Sequence, residues 1–196
     1  MKKLFTGMFV LMVLLSLTIS AEAFDSKSIY RDKGMAAYAD WYEDNDGVYT
    51  DKFIQATTSN EGTDISVYIF TYDENTGVWS DKWGYMFTQE DVFTIDKKLN
   101  SATLSPVDIE LYVSDSNTDT YTIETVTIAA QWTGEGNVMK SSSKYISKYD
   151  DFMSKYSDNT LYREATATGS INKEDLGPSD YGQLIKFNSV SMYMDK

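Results

Sequence analysis

From residue 35 onward, apolar and polar side chains alternate with a period of two, which is the signature of half-buried β-strands. The clearest case runs from Asp64 to Phe87. Ile65, Val67 and Ile69 alternate with Tyr68, Phe70 and Tyr72. Asp73-Glu74-Asn75-Thr76-Gly77 then makes a turn in which Gly77 suits the positive φ of a bulged hairpin. Trp79, Trp83, Tyr85 and Phe87 share one face of the returning strand. An even register puts them with Ile65, Val67 and Ile69 as core, leaving Tyr68, Phe70, Tyr72, Val78 and Lys82 on the opposite face.

Further strands are predicted at Met35–Glu43 and Val48–Thr58, joined by the tight-turn sequence Asn45-Asp46-Gly47. Short strands follow at Asp91–Ile95 and Ala102–Leu104. Asp108–Val113 and Tyr121–Trp132 form a second hairpin, and Leu161–Ile171 and Gln183–Met194 complete the set. About ten strands with short turns and only two prolines predict an all-β fold: a single antiparallel β-sandwich, with a β-barrel as the alternative. No linker or fixed-period repeat interrupts residues 24–196, which read as one extracellular domain. One segment conflicts with the rest. Tyr145, Ile146, Tyr149, Phe152, Met153 and Tyr156 fall at helical spacing behind the N-capping serines Ser141–Ser143, so residues 144–156 are open to a short helix or a strand.

Trp132-Thr133-Gly134-Glu135-Gly136, and Tyr162-Arg163-Glu164-Ala165-Thr166-Ala167-Thr168-Gly169 some thirty residues later, together with the Ala-rich strand ending at Trp41, carry a resemblance. The pattern resembles a loose group of uncharacterised secreted bacterial and archaeal β proteins, over roughly Met35 to Met194. The resemblance implies strand rather than helix over 144–156. It implies no activity.

The first 23 residues have another character. Lys2 and Lys3 precede an apolar run from Leu4 to Ile19, and Ala21-Glu22-Ala23 supplies a small-x-small cleavage site. This is the order of a secretory signal peptide, with an uncleaved anchor as the alternative; both export the remainder. No second apolar run is long enough to span a membrane. The chain has no cysteine, so the exported part folds without disulfides and relies on its core, for which about 170 residues suffice. It carries 17 basic and 30 acidic residues; removing Lys2, Lys3 and Glu22 with the leader leaves a net charge of −14. That overall charge disfavours nucleic acid and anionic headgroups.

With no histidine and no cysteine, Ser-His-Asp and Cys-His nucleophilic sites are excluded, as are the usual ligand sets of zinc, haem and iron–sulfur clusters. Carboxylates, tyrosine and lysine remain, which leaves a carboxylate glycosidase or other hydrolase as the alternative to a non-enzymatic binding module, with a structural envelope component third. Two features point to binding. Tyr68, Phe70 and Tyr72 form an aromatic row that could stack on a polysaccharide or a surface protein, with Lys82 as a donor across the hairpin. Asp115-Ser116-Asn117-Thr118-Asp119 places Asp115, Asn117 and Asp119 at the spacing that opens calcium loops, suited to weak Ca²⁺ binding, although Thr120 stands where such loops carry glycine. Arg163 shares parity with Leu161, Ala165 and Ala167; on a buried face it needs a carboxylate partner, or it clamps an anionic ligand.

Overall fold

The structure, a computed structural model, describes residues 27–116, 121–148 and 152–195. The signal-peptide segment 1–23 and the candidate ligands Asn117 and Asp119 lie outside the described residues. The described chain forms strands β1 (Lys27–Asn45), β2 (Val48–Thr58), β3 (Thr63–Asp73), β4 (Trp79–Thr88), β5 (Phe93–Ile95), β6 (Ser101–Asp115), β7 (Thr122–Gly134), β8 (Met139–Lys148), β9 (Phe152–Ile171), β10 (Glu174–Pro178) and β11 (Tyr181–Asp195). The all-β expectation holds, with eleven strands in one antiparallel sheet.

Short turns make sequence neighbours spatial neighbours. β1 pairs with β2, β2 with β3 and β3 with β4; β4 and β5 both line β6, which pairs with β7. β7 and β8 run along one side of β9, β10 and β11 along the other, and β11 returns to β1. The sheet therefore closes over one interior, as sandwich faces do, with the continuous hydrogen bonding of a barrel. At the β1–β2 turn Asp46 and Gly47 have φ of 53° and 84°, the left-handed pair that a two-residue hairpin requires. In β6 the register shifts between Leu104 and Val107, where Pro106 has no N–H to give.

Odd positions of β1 and β3, even positions of β2 and β4, and their register partners point inward. Trp41, Ile54, Ile65, Leu104, Leu111, Ile128, Trp132 and Leu184 are almost fully buried there, with Ala37, Ala39, Ala56, Ala130 and Ala167 between them. Large and small side chains alternate so that the rings fit: Phe93 meets Trp132 edge-on at 6.2 Å. At the end near the β1–β2 turn the interior turns polar. Lys52 Nζ, buried, bonds Glu43 Oε1 at 2.6 Å, and Lys82 Nζ bonds Glu124 Oε1 at 2.9 Å.

Past the other end, the long strands continue. Residues 27–34 of β1 have no β2 partner, and with β11, β9 and β8 they form a four-stranded, single-layer extension in the order β8-β9-β11-β1. The segment left open between helix and strand lies here as strand, with Tyr145 opposite Tyr156; residues 149–151 lie outside the described residues. Ladder pairing with β9 along all of β8 satisfies backbone groups that one isolated helix turn leaves free, so tertiary pairing overrides the local period.

Candidate functional site on the outer face

The register of the β3–β4 hairpin decides what the outer face carries. Asp73 N donates to Val78 O at 2.9 Å and Gly77 N donates to Asp73 O at 2.8 Å, closing a loop of four residues, Glu74 to Gly77. Ile65, Val67 and Ile69 then oppose Met86, Gly84 and Lys82, while Tyr68 opposes Trp83 and Tyr72 opposes Trp79. This corrects the even register expected from the alternation, because a one-residue change in the loop flips every side chain of a strand to the other face. Trp79, Trp83, Tyr85 and Phe87 are not core: they are 39%, 45%, 60% and 48% exposed. Lys82 also moves. It points inward beside Ile69, is paired with Glu124, and is no donor on the aromatic face.

Tyr68, Phe70 and Tyr72 remain half-exposed on the outer face, and no second sheet covers them among the described residues. Their neighbours complete a grid across β2, β3 and β4. Tyr49, Tyr72 and Trp79 form its first row; Asp51, Phe70 and Asp81 form its second; Phe53, Tyr68 and Trp83 form its third. Tyr42 extends the first row by stacking on Tyr49 at 6.2 Å, and Tyr49 stacks on Tyr72 at 6.5 Å. Tyr112 of β6 extends the third, stacked on Trp83 at 4.7 Å. With alternate residues about 6.7 Å apart and strands about 4.8 Å apart, the grid alone covers roughly 13 by 10 Å.

Carboxyl groups sit inside this aromatic surface. Asp81 Oδ1 accepts a bond from Ser114 Oγ at 2.5 Å. Asp40, on β1, meets Asp51 diagonally across the β1–β2 ladder, and Asp180 stands close, its Oδ2 accepting Tyr42 N at 2.7 Å. The Oδ1 atoms of Asp40 and Asp51 are both shut from solvent and have no N–H or hydroxyl donor among the described residues. A proton held on Asp40 supplies the donor that the pair otherwise lacks. Burial, then the bond to Asp51, then the charges of Asp51 and Asp180, push the Asp40 carboxyl up to about 8. Tyr38, below Asp40, is buried against Phe53 and Tyr181; its hydroxyl donates to Gln183 Oε1 at 3.2 Å, and burial raises its pKa well above the ordinary phenol range. Chemically, the face offers flat rings and carboxylate acceptors, and its nearby lysines, Lys52 and Lys82, point into the interior.

Sequence reasoning found the middle strand of this site and missed its flanks. The missed signal was an aromatic-x-Asp-x-aromatic pattern written three times: Tyr38-x-Asp40-x-Tyr42, Tyr49-x-Asp51-x-Phe53 and Trp79-x-Asp81-x-Trp83.

Arg163 lies elsewhere, at the end of the interior where the extension begins. Its Nη1 donates to Asn100 Oδ1 at 2.6 Å and to Leu99 O at 3.4 Å, and its Nε donates to Glu135 O at 3.3 Å. Its acceptors are amide and carbonyl oxygens, not the carboxylate that a buried arginine was expected to need. They tie the loop before β6 to the loop after β7, with Glu135 N also donating to Glu164 O at 2.7 Å. The segments Trp132–Gly136 and Tyr162–Gly169 thus meet side by side as a structural tie. Of the calcium-loop residues only Asp115 is described, at the end of β6 opposite Ser80. No protein-family model matches the chain, and no curated protein or solved structure is significantly similar to it.

Proposed function

We propose that the protein is an exported, non-catalytic binding module at or near the cell surface, and that its outer aromatic–carboxylate grid takes up a neutral polysaccharide. The observation that carries this reading is the three-by-three arrangement of rings around Asp51, Phe70 and Asp81. Aromatic rings stack on the apolar faces of sugars, and carboxylates between them accept bonds from sugar hydroxyls. With its lysines turned inward, the charged groups of the grid are carboxylates alone, which favours an uncharged glycan over an acidic one. The hydrolase alternative is weaker. Its two carboxyls must flank a glycosidic bond at roughly 5–10 Å, whereas Asp40 and Asp51 are hydrogen-bonded to each other.

The test is affinity electrophoresis and calorimetry against neutral and acidic polysaccharides, with Tyr72→Ala and Trp83→Ala beside the parent. Each substitution is expected to weaken binding to a neutral glycan about tenfold, equivalent to ~1.4 kcal/mol, while changing the melting temperature by only a few degrees. Retention of no neutral glycan, or a loss of binding that merely follows a loss of stability, overturns the reading.

A further inference from the structure

The extension has two faces of different chemistry, on residues separate from the grid. The ladder registers set the rows of the face that continues the ring's interior. They read Ile29–Met192–Lys155–Ile146, then Arg31–Val190–Ser157–Lys144, then Lys33–Asn188–Asn159–Ser142, then Met35–Lys186–Leu161–Lys140. Lys148, opposite Met153, lies on the same face. Seven of the chain's 17 basic residues therefore gather on one side of a single-layer sheet: Arg31 and Lys33 from β1, Lys186 from β11, Lys155 from β9, and Lys140, Lys144 and Lys148 from β8. All are exposed except Lys186, which is half-buried, and none is in an ion pair among the described residues. No acidic residue among those described falls on this face. Asp32 and Asp158 have the opposite parity and lie on the other side, near Tyr156.

Between the cations stand apolar side chains: Ile29 and Ile146, 44% and 57% exposed, with Met153, Met192 and Val190 half-buried. At the base of the face, Lys33, Lys140 and Lys186 surround a hollow of about 330 Å³ with Asn159 and Asn188, all of them hydrogen-bond donors. We infer that this face docks on an anionic phospholipid bilayer surface.

Charge complementarity and the apolar stripe argue for that occupant together. A soluble polyanion takes up the lysines but leaves Ile29, Ile146 and the methionines against water, whereas a bilayer receives apolar side chains below the phosphates that the lysines contact. The acidic excess of the whole chain does not cancel this. Charges more than about 8–10 Å apart are screened at physiological salt, and eight residues of strand carry the extension about 26 Å past the ring.

The test is co-sedimentation of the full exported protein with phosphatidylcholine vesicles, with and without about one phosphatidylglycerol in three, across a salt series. The protein is expected to pellet with the mixed vesicles only, and less so as salt rises. The exposed-edge variant Lys140→Glu/Lys144→Glu/Lys148→Glu is expected to lose affinity by more than about tenfold at an unchanged melting temperature. If that variant does not fold, Lys155→Glu is read in its place. Ile146→Ser is expected to weaken vesicle binding and to leave binding to soluble polyphosphate unchanged. Absence from anionic vesicles, equal pelleting with phosphatidylcholine alone, or full binding by the charge-reversed variant overturns the proposal. So does an Ile146→Ser variant that binds vesicles as the parent does, which identifies a soluble polyanion. A salt-sensitive dimer dispersed by the charge reversal, without vesicle binding, assigns the face to a second copy and also overturns it.

Discussion

Replacing Asp40 by asparagine tests the carboxyl pair directly. The substitution keeps the shape of the side chain and supplies a permanent N–H donor to Asp51 Oδ1, but removes the group that titrates. Asp40 is raised from 3.8 to about 8 in the folded chain, first by burial and then by its bond to Asp51. An acid whose pKa rises on folding holds its proton more tightly in the native state. Between about pH 4 and pH 8 the native protein keeps a proton that the unfolded chain has released, so stability falls as pH rises through that window. Below it the contribution is fully present, and above it the whole cost is carried. Taken in full, the shift corresponds to ~5–6 kcal/mol, but Asp40 is partly open to solvent, and screening trims this to about 1–2 kcal/mol. Asp40→Asn is therefore expected to match the parent near pH 4 and to exceed it by about 1–2 kcal/mol near pH 9, or ~2–8 °C in melting temperature for a chain of this size. The assay is urea denaturation of both proteins at intervals from pH 4 to pH 9. Only the difference between them matters, since the titration of every other carboxylate is common to both. A difference that is constant with pH, or largest at pH 4, refutes the account of a proton held on Asp40.

Two further outcomes follow from how the sheet closes. Gly84→Ala puts a Cβ within 2.5 Å of Glu110 O and 2.6 Å of Leu111 Cδ2, at the short seam where β4 meets β6 through Ser80–Trp83. A loss of about 2–3 kcal/mol is expected in urea denaturation, and a parent-like midpoint rules out close packing at that seam. Arg163→Ala removes the bonds to Leu99, Asn100 and Glu135 and is expected to cost about 1–2 kcal/mol. Arg163→Lys should recover less than half of this, since an ammonium cannot span three acceptors as a guanidinium fork does; full recovery by lysine sinks the tie.

The strands were legible in the sequence because the signal for a strand is local. Alternation marked β2, β3, β7 and most of β11, and Asn45-Asp46-Gly47 marked the first hairpin, since a two-residue turn of that chemistry has few alternatives. The middle strand of the aromatic site, with Tyr68, Phe70 and Tyr72, was legible for the same reason. Its flanks were not. Whether Trp83 is core or surface turns on the number of residues between Asp73 and Val78, and period-two alternation is blind to a shift of one. The carboxyl pair also needed the β1–β2 ladder to bring Asp40 to Asp51. Net charge does not carry this information, because it averages over the molecule. Parity along four strands gathers seven cations on one face of the extension, while Asp32 and Asp158 take the other. The sequence determined that the chain forms antiparallel strands, and which residues alternate along each. Register and closure decided which of the two alternating sets faces water, because a pleated strand shows its two faces equally until a neighbour covers one.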